Sequence, residues 1–175
     1  MRAMGIDVGE RRIGVALADE DGRAVALTTL RRHADPARDA DDVAALVRDH
    51  EVSEIVVGLP LDVSGDEGSQ AGATRAWVES IRPAIRPPVR YRDERLSSHL
   101  AEQRVGPMKR GRSGGPPTRD QRAAWRSRVD REAAAIILQD ELDARAAQRE
   151  RAPGAVNRLQ PEPERERTHH TEASS

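Results

Sequence analysis

The stretch from Met4 to Asp19, MGIDVGERRIGVALAD, constrains the fold most, because each of its halves has one bulky and one bare side. Side chains along a strand point to opposite faces in turn. In the first half Met4, Ile6 and Val8 share a face, while Gly5, Asp7 and Gly9 share the other. In the second, Ile13, Val15 and Leu17 oppose Gly14, Ala16 and Ala18. The pattern predicts a β-hairpin with an aspartate in the middle of its bare face. An ionised carboxylate is costly to bury without a partner, so Asp7 requires a reason. Glycine in a strand often marks close approach of a ligand or another backbone, and on that ground the bare face leaves room for something that meets Asp7, such as a phosphate backbone. The alternative is that Gly5 and Gly9 serve the turn and helix packing, with Asp7 paired to Arg11 or Arg12.

Beyond the hairpin the period changes twice. Residues 23–30, RAVALTTL, read as a third, antiparallel strand entered through a turn at Glu20, Asp21 and Gly22. Asp35 then offers an N-cap and Pro36 a first helical position, with Val43, Leu46 and Val47 as the apolar stripe. The continuous Ile55, Val56, Val57 run in residues 53–60 suits a parallel strand covered on both faces. A polar loop follows, and Ser69 caps a helix to about Ile81 that buries Ala73, Trp77 and Ile81 and is stopped by Pro83. PVRYRDERL predicts a fifth strand delivering Asp93, Glu94 and Arg95 at its carboxyl end, then a helix from about Leu96 to Val105. The longest helical pattern runs from Asp120 to about Ala147. These elements predict one α/β domain over residues 1–150: a mixed five-stranded sheet, antiparallel in strands 1–3 and parallel in strands 4 and 5, with helices on both faces. Residues 106–119, rich in Gly, Pro and Arg, read as a mobile basic loop, and residues 151–175 as a disordered tail.

Composition removes several classes of function. The 175 residues contain no cysteine, which excludes thiolate chemistry and is compatible with a reducing compartment, and no apolar run approaches the roughly 20 residues that span a membrane. With no secretory pattern at the amino terminus, a cytoplasmic protein is expected. Phenylalanine is absent and only Trp77, Trp125 and Tyr91 are aromatic, so a reader that stacks bases on an aromatic platform is disfavoured. Net charge is −1, yet Arg104 to Arg128 includes Lys109, Arg110, Arg112, Arg119, Arg122 and Arg126 against Asp120 alone. Such a cluster suits a phosphate backbone.

Three acids stand where ligands bind in open α/β sheets, near the carboxyl ends of strands. Asp7 and Glu94 sit at strand ends, and Asp130 shares a helical face with Ala133, Ala134 and Ile137. A helix-dipole role for Asp130, with Arg126 or Arg131 as partner, is the structural alternative. Close carboxylates raise one another's pKa, so a cluster of three is tolerable mainly around a divalent cation. Oxygen ligands select Mg²⁺ or Mn²⁺, and two such ions about 3.5 to 4 Å apart cleave phosphodiesters. Arg12 and Arg95 lie beside the acids, placed either to touch phosphate or to brace the carboxylates. Asp93, Asp140 and Asp143 are further acids, the last two on the solvated end of their helix.

GIDVGERRIGVALAD, IVVGLPLDVSGDEGSQA, YRDERLSSHLAEQ and VDREAAAIILQDELD, taken in order from about residue 4 to 143, resemble the successive blocks of the YqgF/RuvX family, Holliday junction resolvase-like proteins described as pre-16S rRNA nucleases. The resemblance implies an RNase H-like fold, a cytoplasmic location and a role in maturing the 5′ end of 16S rRNA. It also implies that Asp7, Glu94 and Asp130 are the catalytic carboxylates. The segment between Val105 and Asp130 is longer and richer in Gly and Pro than the family's connection, and the tail has no counterpart. Structured RNA is then the expected substrate, with Arg12, Arg95, Lys109, Arg110, Arg112, Arg122 and Arg126 as candidate contacts. Branched DNA cut by a two-fold dimer, and a non-catalytic RNA-binding assembly factor, are the alternatives. An actin-like or sugar-kinase-like ATPase also begins with IDVG and a hairpin, but this chain is too short for two such lobes.

Overall fold

The computed structural model describes residues 2–62, 64–94, 97–109 and 115–151. Strands β1 (Arg2–Val8), β2 (Arg12–Ala18) and β3 (Ala24–Arg31) form the expected meander. Helix α1 (Pro36–Asp49) leads to β4 (Val52–Leu59), α2 (Ser69–Ile81) to β5 (Val89–Asp93), and α3 (Ser97–Val105) to the long α4 (Arg119–Arg151). The sheet order is β3-β2-β1-β4-β5. β1, β2 and β3 pair antiparallel, while β4 pairs parallel with β1 on one side and β5 on the other. β5 is therefore an edge strand separated from β1 by β4. The expected tail lies outside the described residues, except that α4 extends to Arg151.

The two faces of the hairpin meet different layers. Met4, Ile6, Ile13 and Val15 are fully buried with Val43 of α1 and Trp77, Val78 and Ile81 of α2. Ala16, Ala18 and Val56 lie on the opposite face against Ala134, Ala135, Ile137 and Leu138 of α4. Helix α1 starts as expected: the Ala37 N–H donates to the Asp35 carboxylate at 3.0 Å, with Pro36 in the first turn. Helix α2 differs in two details. Gly68 rather than Ser69 is its N-cap, without a side-chain cap bond, and Ala73 is exposed while Ala71 and Thr74 join Trp77 on the buried side. A side chain at Gly68 would approach the exposed Asp62 carboxylate to 2.8 Å, so that carboxylate would have to move aside.

Helix α4 sits on the bare face, and its register is set by two glycines. A Cβ at Gly14 would lie 1.9 Å from the Asp130 carbonyl oxygen, and one at Gly5 would lie 2.6 Å from the Ala134 carbonyl oxygen and 2.7 Å from Leu138 Cβ. Asp130 and Ala134 are one helical turn apart, so consecutive turns of α4 rest directly on strand backbone. This corrects the expectation that Gly5 leaves space for a phosphate backbone: the space is filled by α4, the packing alternative. Further contacts hold the helix to β3. Thr29 Oγ1 donates to the Ser127 carbonyl at 2.6 Å, and the Ala24 N–H donates to Gln139 Oε1 at 2.9 Å.

Candidate active site

The seating of α4 places Asp130 beside Asp7. Asp7 is on the bare face of β1, opposite Gly14 in the β1/β2 pairing, and the backbone of Asp130 rests on that same Gly14. Glu94 follows β5, two strands away from Asp7. Its N–H donates to the Leu59 carbonyl at 3.3 Å, continuing the β4/β5 ladder, while its own carbonyl accepts from the Ser97 N–H and hydroxyl, each at 2.9 Å. Its side chain then reaches over β4 into the space that a side chain at position 58 would occupy. A Cβ at Gly58 would lie 1.9 Å from Glu94 Oε2. Gly58 therefore lets a carboxylate from the edge strand come close to Asp7.

The surroundings of these acids disfavour their charged forms. Burial, with the charge of Asp130 beside it, pushes the Asp7 carboxyl up to about 7. Burial, then Asp7 and then Asp93, pushes Glu94 up to about 8. Glu94 Oε2 is buried and has no hydrogen-bond partner. A carboxylate oxygen buried without a donor is costly. A hard cation would satisfy it and lower both pKa values, so this donor set of oxygens fits Mg²⁺ or Mn²⁺. Among the described residues no group of three such side chains is already arranged to hold an ion. The third acid is otherwise engaged, since the Arg12 guanidinium donates to Asp130 Oδ2.

That ion pair resolves two alternatives. Arg12 braces Asp130 instead of pairing with Asp7, and neither Arg126 nor Arg131 is the partner of Asp130. Arg12 also lines an open groove with Gly9, Glu10, Arg11, Arg126 and Asp130, which sets two of the candidate phosphate contacts, Arg12 and Arg126, beside Asp130. Lys109 and Arg122 are exposed farther along the α3/α4 connection and the first turns of α4, with Arg122 donating to the Pro117 carbonyl. Arg95, Arg110 and Arg112 lie outside the described residues. Asp143 accepts from Gln139 at 2.8 Å, on the far part of α4.

The family model described as RuvX, Holliday junction resolvase, matches residues 1–144. The chain belongs to the RuvX family. A relative from Anaeromyxobacter dehalogenans (strain 2CP-C), named as a candidate pre-16S rRNA nuclease, is 46% identical over 147 residues, covering 83% of this chain and 99% of its own. A relative of the same name from Chloroflexus aggregans is 43% identical over 143 residues, covering 81% and 93%. Among solved structures, T. thermophilus RuvC in complex with a Holliday junction substrate aligns with a TM-score of 0.51 at 14% identity, covering 84% of this chain and 96% of that one. The likeness establishes the RNase H-like fold. This RuvX protein is thus a nuclease, a hydrolase of phosphodiester bonds. Among its described residues no helix is long and apolar enough to cross a membrane.

Two glycines that shape the candidate site carry little local signal. Gly58 lies inside β4, one residue before its end, and its signal is only that of a glycine in a strand pattern. Gly14 was visible on the bare face, but nothing local tells which distant helix needs the room.

Proposed function

We propose that the chain is a metal-dependent endonuclease that hydrolyses phosphodiesters in structured RNA, processing the 5′ end of pre-16S rRNA in the cytoplasm during ribosome biogenesis. The observation that carries the reading is the crowding of Asp7 and Glu94, both pushed far above the usual carboxylate range, around an oxygen with no donor. Asp7, Glu94 and Asp130 would hold Mg²⁺ or Mn²⁺, with two ions expected; when bound, these supply an activated water and charge stabilisation for the leaving oxygen. Asp7 and Glu94 must shed their protons to act as ligands. Arg12 holds Asp130 until it is needed and offers a phosphate an alternative partner. The arginines of the neighbouring groove, Arg12 and Arg126, position the backbone on the acids. The curated relatives' shared name supports precursor 16S rRNA as the substrate.

A second reading, cleavage of branched DNA, is favoured by the family's description as a Holliday junction resolvase. Symmetric junction cutting needs two active sites related by a two-fold axis, hence a stable dimer. The two readings separate when an RNA spanning the 5′ end of 16S rRNA and a four-way DNA junction are each incubated with the protein, in Mn²⁺ and in chelator, with the oligomeric state measured alongside. Metal-dependent scission of the RNA by a monomer is expected. Junction cutting by a dimer, with the RNA intact, supports the second reading. Binding of RNA without scission in any metal would make the chain a non-catalytic assembly factor.

A further inference from the structure

A second groove, of about 900 Å³, borders Glu94 by the ends of β4 and β5. The arginine groove lies at the β1/β2 turn, so by strand order Asp7 and Glu94 stand between the two. Their chemistry differs. The second groove is lined by Leu61, Gln70, Tyr91, Ser98, Leu100 and Asp140, besides Glu94 and its neighbours. Leu100 is 40% exposed and, with Val25, is one of the large hydrophobic side chains left open to solvent among the described residues. Arg92, the cation in this lining, lies 3.6 Å from Glu141. A phosphate would meet the Asp140 carboxylate here with little cationic compensation. A flat heterocycle would instead meet leucine side chains, a carboxylate acceptor at Asp140, and groups at Gln70 and Ser98 that both donate and accept.

The groove is also braced. Arg75 holds Glu67 through two bonds, of 2.7 and 2.5 Å, and covers the Tyr91 ring at 4.3 Å from its centroid. Glu67 pairs with Leu61 across the loop after β4. One guanidinium thus ties the loop that carries Leu61 to the strand that carries Tyr91, so a ligand enters a preformed wall.

We propose that this second groove binds the unpaired nucleobase adjacent to the phosphodiester being cleaved. The inference rests on the nuclease reading and deepens it: backbone is held on the arginine side of the acids, base on the leucine side. Substrates with an unpaired nucleotide next to the cut are selected over continuous duplex. The test uses two RNA hairpins in chelator, one with a single-stranded overhang whose first unpaired base is 2-aminopurine, the other blunt. Wild-type protein should change the 2-aminopurine fluorescence on binding. Leu100→Asp and Gln70→Ala alter exposed side chains, and unchanged melting temperatures would show that both fold. They should abolish the fluorescence change and weaken binding of the overhang hairpin about tenfold, leaving the blunt hairpin unaffected, while Leu100→Met retains the signal. A silent 2-aminopurine in a bound overhang hairpin, or equal weakening of both hairpins, overturns the inference alone. Failure of wild-type protein to bind either hairpin overturns the structured-RNA reading with it.

Discussion

Asp7 and Glu94 are held in the protonatable range by their surroundings, and this has consequences for both stability and metal affinity. An acid whose folded pKa is raised contributes stability below its unfolded pKa that is lost as pH climbs through the folded value. For these two groups the window runs from about 4 to about 8. Asp7→Asn and Glu94→Gln remove the charge that must be buried. In chelator, each variant should therefore melt above wild type by several degrees at pH 8, with the gain shrinking as the pH approaches 4; 1 kcal/mol corresponds to roughly 2 to 4 °C in a chain of this size. A gain independent of pH would mean that the acids are not strained. The same protons oppose metal ligation, so Mn²⁺ affinity measured by calorimetry should rise between pH 6 and 8, with proton release. At this scale Asp7 was legible, because strand alternation isolates an acid on a bare face. Glu94 was legible as a strand-end acid and by resemblance, but its reach across β4 was not, since that depends on Gly58 in another strand.

Helix α4 illustrates what alternation alone leaves undecided. The bare face of β1 and β2 is visible in the sequence, yet a ligand and a helix backbone leave the same trace of small residues. The structure assigns the bareness at Gly5 and Gly14 to the helix. Gly14→Ala and Gly5→Val should each lower stability by about 1 to 3 kcal/mol or more through overpacking, and cleavage should fall with it because Asp130 is displaced. Normal melting with lost cleavage would restore the ligand explanation. On the other face, Asp39 of α1 is 1% exposed and links three segments. It accepts from the His33 N–H at 2.9 Å and from Trp77 Nε1 at 3.0 Å, and its Oδ1 lies 3.0 Å from His33 Nδ1. Asp39→Ala would leave the buried Trp77 Nε1–H and the partly buried His33 N–H without their acceptor, which predicts a loss of about 2 to 4 kcal/mol in urea unfolding without any change in metal affinity. Nothing in the sequence distinguished Asp39 from the other acids at the start of α1, because its partners come from β3's end and α2.

Over the whole molecule, strand order brings separate motifs toward one end of the sheet. β1 and β4 are central and parallel, so their carboxyl ends open together, and the carboxylate that follows edge strand β5 folds inward over Gly58. Helix α4 crosses the sheet and delivers Asp130 at the same end. The mixed sheet and its two helical layers follow from the periodicities and from the right-handed crossover rule, which is why this level was the most legible. The basic residues were legible only as a cluster in the chain: among the described residues Arg12 and Arg126 line the groove beside Asp130, while Lys109 and Arg122 lie outside that lining. The central claim is that acids from β1, β5 and α4 form one metal-dependent centre for phosphodiester hydrolysis. It is tested most directly by single-turnover cleavage of precursor 16S rRNA in Mn²⁺ by wild type, Asp7→Asn, Glu94→Gln and Asp130→Asn. Each variant should remain folded, bind the RNA and cleave at least about a hundredfold more slowly, which corresponds to roughly 2.7 kcal/mol in the barrier. Wild-type rates in any of the three, or undiminished cleavage in chelator, would contradict it.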